Sequence, residues 1–533
     1  MKRKLLLKIF IGIAAFALLF IILLRVVVEP RVVKKIETSF NTDSSDYLMK
    51  IDKVHISIIL TSIELENVTL ISKLEHGGHP DLTGEIASIK FRGIKPLKAI
   101  FKKEIDIRKV NVFNCCIIGE VPFPEKVRPP KISTFNLTID NLFFDKLDVA
   151  IKSNSTAQSF SLNDGVLKVY DLQIAKLDTL TPAIIKQFDF DAMVLQTVAS
   201  DSMYTFTTTG INYSGTSNTL SVDSFSVHPN YTRDEFAARH QFQSNRFDVG
   251  ISAIHFHDFS VESYLKSKSL VSSYIEIGKM DVDVYRDRRI PFRHVNKPVF
   301  QDMIYNYPGL INIDSIGILS GNIAFTLHVE KANEPGFINF SQLNAQIYKI
   351  TNDTIYKTEK GYLELNVEAL LMGKGKMTTL LKARLFDSQN TFSINGTLSE
   401  MEIMLLNPML ENSAFIIATS GKIDATNFSF TANNTKATGH LNMLYHELKL
   451  AVKNKRTDET TAFKEQIVSL IANSVIIDSN PLPGKEVRMG VIDSERDPER
   501  FLIHYYFKSI LSGIQSVIVK NSTIRENKRN KRN

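Results

Sequence analysis

The stretch GKIDATNFSFTANNTKATGHLNMLYHELKLAV, Gly421–Val452, alternates along most of its length. Ile423 and Ala425 fall on one side, and Lys422, Asp424 and Thr426 on the other. Phe428, Phe430 and Ala432 follow in shifted phase; then come Gly439, Leu441 and Met443, and after a short break Leu448, Leu450 and Val452. Side chains of a strand point to opposite faces with period two, so the segment reads as three strands with one apolar side. It holds no catalytic constellation. What the apolar side is for is the question the rest of the chain must answer.

Working outward, the same pattern recurs. KVHISIIL (Val54, Ile56, Ile58) and SIELENVTL (Ile63, Leu65) are strands, as are STFNLTID (Phe135, Leu137, Ile139), FTTTGINYSG, LINIDSIGILSGNIAF and NTFSINGTLSEMEI. GEIASIKFRGIKPLKAIFKKEIDIRKVNVFNCCI, Gly84–Ile117, reads as strand, short helix around Pro96–Phe101, then strand. In that last strand Ile105 and Ile107 are followed, after a break in phase, by Val110 and Val112. Strand candidates between turn signals cover most of residues 45–455, which indicates an all-β body. HVNKPVFQDMIYNYPG is irregular or briefly helical.

The chain opens MKRKLLLKIFIGIAAFALLFIILLRVVVEP. Leu5–Val28 is 24 residues, ~36 Å as a helix at ~1.5 Å per residue, enough to cross a bilayer. Lys8 and Arg25 stand near its ends, where long cationic side chains reach the interface. Lys2, Arg3 and Lys4 favour a cytoplasmic N-terminus. A cleaved signal peptide is the competing reading, through Ala15-Phe16-Ala17, but seven apolar residues follow that triplet and no cleavage site ends the run. The expectation is an uncleaved single-pass anchor with the bulk of the chain outside the cytoplasm. EPRVVKKIETSFN, with Val33, Ile36 and Phe40 at helical spacing and Pro30 at its start, then leaves the membrane as a short helix.

The 533 residues carry a net charge of +7, concentrated at the ends. Residues 1–35 hold 8 Lys/Arg and one acid, and residues 520–533 hold 6 and one; the body has 50 bases against 55 acids. A mildly acidic body argues against nucleic-acid binding. Cys115 and Cys116, the two cysteines, are strand neighbours that point apart; they exclude a disulfide framework and a cysteine metal site, and both read as buried small hydrophobes.

No phosphate loop, nucleophile elbow or zinc-protease helix motif is present. His255 and His257 of HFHDF, with Asp258, share a strand face and are the best metal candidate, but no third ligand is identifiable; no metal or cofactor is expected. VYRDRRIPF gathers Arg286–Arg289, either a solvated turn with Asp287 as its own counter-ion or a headgroup contact. Asn67, Asn136, Asn230 and Asn395 open Asn-x-Ser/Thr triplets, which arise by chance in a chain rich in these residues.

Two helices close the chain. FKEQIVSLIANSVI places Phe463, Ile467, Leu470 and Ile471 on one face. DPERFLIHYYFKSILSGIQSVI starts after Asp497-Pro498, an N-cap and N1 pair, with Phe507, Ile510, Leu511, Ile514 and Val517 as its stripe. That stripe caps a sheet end or lies on a membrane, and capping is the reading preferred here. RENKRNKRN reads as a disordered basic tail.

The anchor, the following helix, YLMKIDKVHISIILTSIELENVTL and the Gly84–Ile117 segment together resemble the N-terminal region of AsmA-like proteins of the Gram-negative envelope. The Gly396-Thr-Leu strand, the LLNPML crossing and the SGKID return are similar to the C-terminal AsmA-like pattern. The resemblance covers residues 5–120 and 375–455. It implies a mainly β fold: a transmembrane helix, a long, curled, groove-like antiparallel sheet with a few short helices, and a C-terminal amphipathic helix. It implies an inner-membrane protein facing the periplasm, partnered by phospholipid or glycolipid and contributing to lipid transport or outer-membrane biogenesis. It carries over no catalytic residue.

The expected organisation is a basic end (1–4), anchor (5–28), N-terminal AsmA-like region (29–120), proline-rich crossing (121–130), sheet body (131–455, with the C-terminal AsmA-like block at 375–455), helical cap (456–519) and tail (520–533). Candidate groove-lining residues are Ile423, Phe428, Phe430, Leu441, Met443, Leu448 and Leu450. The alternative is a non-enzymatic assembly factor for outer-membrane proteins, with a closed β core and no lipid groove.

Overall fold

In the computed structural model the described residues are 24–42, 45–57, 61–76, 79–95, 104–121, 136–174, 184–357, 361–452 and 476–519. The expected helices at 96–101 and 463–471, the proline-rich crossing beyond Val121, the basic tail and most of the Leu5–Val28 run lie outside them. Of that run, Leu24–Val28 is a π-turn leading into α1 (Glu29–Phe40). No described helix is long and apolar enough to cross a membrane. The protein is mainly β, and it divides into two units, Met1–Asp223 and Ser224–Asn533. The division falls within a strand, between Asp223 and Ser224.

The first unit contains β1 (Tyr47–Ser57), β2 (Ser62–Ser72), the two-residue pair β3 (Glu75–His76) and β4 (His79–Pro80), β5 (Leu82–Ile94), β6 (Glu104–Val121), β7 (Asn136–Ser153), β8 (Ser159–Ile174), β9 (Ile184–Val198) and β10 (Tyr204–Ser214). Neighbours pair in the order β1, β2, β5, β6, β7, β8, β9, β10. All pairings are antiparallel except β6–β7, which is parallel. The expectation of a purely antiparallel sheet is therefore corrected. Alternation in sequence reports period and face but not strand direction.

Asn67, Asn114, Lys146 and Asp164 have left-handed backbone, at φ of 52°, 47°, 61° and 51°. Lys146 and Asp164 flank the register shift around Leu147 between β7 and β8, a bulge. Asn67 and Asn114 interrupt the alternation of strands whose register is unbroken. Asn and Asp tolerate the left-handed conformation best. Leu65 and Val68, Val112 and Cys115, and Phe144 and Leu147 are three apart yet in one apolar cluster, and Ile107 and Val110 share it. Cys115 is buried there, whereas Cys116 is exposed, which corrects the expectation that both are buried.

The second unit begins within β11 (Thr219–Pro229) and continues with α2 (Arg233–Ala238), β12 (Asn245–His257), α3 (Val261–Ser267), β13 (Leu270–Asp287), α4 (Phe300–Tyr305), β14 (Ile311–His328), β15 (Gly336–Thr351), β16 (Tyr362–Leu371), β17 (Gly375–Arg384), β18 (Phe392–Leu398), β19 (Met401–Glu402), β20 (Ile416–Ala432), β21 (Lys436–Val452), β22 (Met489–Glu495) and α5 (Leu502–Ile518). From β12 to β22 successive strands pair, with β18 and the short β19 both against β20; β13–β14 is again parallel and the rest antiparallel. Gly421–Val452 forms parts of two long strands, β20 and β21, instead of three short ones. The phase breaks are register shifts between Ala418 and Ala425, not turns.

Each unit guards an edge with helix side chains. The N–H groups of Met49, Ile51 and Ile56 on β1 donate to Asn41 Oδ1 (2.6 Å), Glu37 Oε1 (2.8 Å) and Glu29 Oε1 (3.0 Å). On β22, the N–H groups of Val491 and Asp493 donate to Ser516 Oγ (2.7 Å) and Ser512 Oγ (3.2 Å) of α5. A bare edge would template pairing with another chain, and these caps occupy it.

Candidate functional site

In the first unit the register aligns an apolar row across all eight strands: Val54, Leu65, Ile89, Val112, Phe144, Leu167, Phe190 and Tyr213, each the direct partner of the next. Two positions along, Ile56, Ile63, Phe91, Val110, Leu142, Val169 and Phe188 form a second row. At ~4.8 Å per strand the first row spans ~34 Å. The row between them, on the other face, is mostly polar: His55, Glu64, Lys90, Asn111, Phe143, Lys168, Asp189 and Ser214. Among the described helices only α1 packs against the apolar face, through Val32, Val33 and Ile36 near the β1 end.

The second unit repeats the arrangement over ten strands. Phe256, Ile275, Ile316, Ile347, Leu365, Leu381, Ile394, Phe430, Gly439 and Ile492 are consecutive register partners from β12 to β22. Here the far end is closed. α5 lies over the apolar face, with Tyr506 against the rings of Phe428 and Phe430 and its hydroxyl 3.1 Å from Thr379 Oγ1. Phe507 stacks on Phe340 of β15.

All seven candidate lining residues fall at this closed end. Ile423, Phe428, Phe430, Leu441, Met443 and Leu448 are buried in one protein core with Tyr505, Val517 and Ile518 of α5, and Leu450 is half-buried against it. They pack against protein, and Leu441 is fully buried.

The start of α5 differs from the sequence expectation. Asp497 does not cap it; the helix begins at Leu502 after Phe501, and Asp497 instead accepts from the Glu499 N–H at 3.0 Å in a preceding turn. The buried line is Tyr505, Ser509, Gly513 and Val517, while Phe507 is exposed. Small residues face the sheet so that the helix can approach it. Of the expected stripe, Val517 is in this core and Ile510 and Ile514 pack against it, while hydrophobicity alone does not reveal the small residues that set the distance.

The opposite face of β15–β22 carries a feature that the apolar pattern hid. Asn344, Glu368, Thr378, Thr397, Asn427, Asn442 and Met489 are consecutive register partners. They line a hollow of about 700 Å³ with Gln346, Asn366, Asn395, Ser429 and His440. Thr378 and Thr397 hydroxyls lie 2.7 Å apart, and Ser429 donates to Asn395 Oδ1 at 2.7 Å. Alternate positions of the same strands were the available signal.

The remaining sequence candidates are separated. His255 and His257 lie on β12, where His257 stacks on the Tyr274 ring. Among the described residues no group of three or more His, Cys, Asp or Glu is gathered as a metal site. Arg289 is an exposed partner of Asp287 and Asp234, but Arg286 and Arg288 turn inward, so a solvated turn describes only part of that cluster.

No protein-family model matches the chain, and no curated protein matches it. The class that the geometry defines is thus a fold class: long, open, antiparallel-rich sheets, each with one apolar face aligned strand by strand. Removing apolar surface of this kind from water is worth about 25 cal/mol per Å², with no fixed partner required.

Proposed function

We propose that this chain is a membrane-anchored lipid-handling protein of the AsmA-like type, holding acyl chains on its apolar β faces. The observation that carries the reading is the unbroken apolar row from Val54 to Tyr213, which only α1 meets among the described helices. Each methylene laid on such a face gains ~0.8 kcal/mol without a fixed partner, so a chain can slide from one strand pair to the next. The polar row on the other face keeps the strands soluble. In this reading Leu5–Val28 is the inner-membrane anchor, Lys2, Arg3 and Lys4 hold the N-terminus in the cytoplasm, and the sheets lie in the periplasm and serve lipid transport or outer-membrane biogenesis.

Mass spectrometry of lipid co-purifying with the detergent-extracted chain tests this. Phospholipid or glycolipid is expected with the unaltered chain and lost in Phe144→Glu/Phe190→Glu, with the circular-dichroism melt retained. Absence of lipid beside a positive control sinks the reading.

A second reading has its own observation. α5 seals the apolar face of β17–β22 as an ordinary core, as an outer-membrane assembly factor with a packed body would need. Lipid-free protein that retains a protein partner after mild extraction would favour it.

A further inference from the structure

We propose that Arg286, Arg288 and Arg500 form a binding site for a phosphate-class oxyanion in the second unit. Arg286 continues the apolar side of β13 two residues beyond Val284, and Arg288 follows the strand end, where its N–H donates to the His328 carbonyl at 2.8 Å. Arg500 comes from the turn before α5, its guanidinium over the Phe292 ring at 3.7 Å. Arg286 and Arg288 both feel the positive charge of Arg500, which comes from more than two hundred residues further along the chain.

Their nitrogens are under-used. Arg286 Nε, Arg288 Nε and Arg500 Nη1 are buried without a hydrogen-bond partner. Arg286 donates to Gln243 Oε1 at 3.3 Å, and Arg500 Nε lies 3.6 Å from Asp497 Oδ2. The neighbouring acids are engaged elsewhere: Asp287 pairs with Arg289 at 2.6 Å, and Glu499 with His294 at 3.0 Å. Burial, with the repulsion of Arg500 and Arg286, lowers Arg288 to about 10, which leaves it charged at neutral pH. A buried cation without its counter-charge is costly. The guanidinium fork matches the oxygens of a phosphate group, and three forks around one anion neutralise charge that Asp497 alone does not.

The site does not require the acyl-chain reading: the phosphate could be free or part of a headgroup. Thermal melts of the full chain in dodecylmaltoside separate the cases. One arm compares sodium phosphate with sodium chloride at equal ionic strength; the other compares mixed micelles of phosphatidic acid with those of diacylglycerol. A rise in melting temperature is expected from a phosphate-bearing probe, lost in Arg288→Gln and in Arg500→Gln and kept in Arg289→Gln. A rise with inorganic phosphate identifies the free anion as sufficient; a rise with phosphatidic acid alone identifies the headgroup. Without either probe, Arg288→Gln should melt no lower than the unaltered chain, because it removes a repelled buried charge. No rise with either probe, a rise in Arg288→Gln and Arg500→Gln equal to that of the unaltered chain, or a large fall for Arg288→Gln in chloride overturns the site. A chain that carries no co-purified lipid yet responds to phosphate keeps this site and loses the acyl-chain reading.

Discussion

Gly490 on β22 and Gly513 on α5 meet so closely that a Cβ added to Gly490 would stand 2.5 Å from the Gly513 carbonyl oxygen. A Cβ on Gly513 would meet Leu441 Cβ and Ile492 Cγ1 at 2.9 Å. This contact seats the helix on the apolar face. Gly490→Ala should therefore cost about 1–3 kcal/mol, the range for overpacking. Gly250 on β12 has nothing within 4 Å of its added Cβ, and Gly250→Ala should be neutral or stabilise by up to about 1 kcal/mol. Paired urea melts check both. Equal stability of the two variants would show that α5 is not held at this distance.

Leu441 tests whether the quoted stretch is core. Leu441→Ala should lose about 2–5 kcal/mol, and Leu441→Asp should not fold. Phe190 in the first unit is half-buried in its row, so Phe190→Asp is expected to fold and to lose bound lipid. Near-ultraviolet circular dichroism with lipid mass spectrometry distinguishes the two outcomes.

The edge caps predict association behaviour. Glu37→Ala removes the acceptor of the Ile51 N–H and should cost about 1 kcal/mol. Its larger effect should be on solubility, since the β1 edge becomes available to another chain. Sedimentation velocity should show added oligomers for Glu37→Ala and not for Glu37→Gln, whose amide oxygen still accepts.

His504 links stability to acid. Burial lowers its pKa to about 4, assisted by Arg500, Arg288 and Lys508 and opposed by Asp497. The folded state thus holds the ring neutral where the unfolded chain, with a pKa near 6.5, begins to bind a proton. The unfolded state carries more protons between these values, so this contribution is fully present above pH ~6.5 and is lost as pH falls through about 4. The melting temperature should fall over this window in the unaltered chain and fall less in His504→Gln, as read by melts in buffers from pH 7.5 to 4.

Much of the fold was legible in residue order. The helix at Glu29–Phe40 and the strand grammar follow from local chemistry: fixed φ at Pro30 and period-two alternation. Strand length in Gly421–Val452 is not legible in residue order, because a bulge and a turn interrupt alternation alike. The site was legible as a style, apolar on one side, but not as a place.

By itself the sequence determined which residues share a strand face, since that depends only on neighbours two apart. Tertiary structure decided which apolar stretch a helix seals, because that helix comes from far along the chain. Leu441 is fully buried under α5, whereas Phe190 is half-buried in its own row. Arg286 read as part of a solvated turn until Arg500, more than two hundred residues on, was brought beside it. Alternation is local, whereas burial and charge balance are sums over whatever the fold gathers.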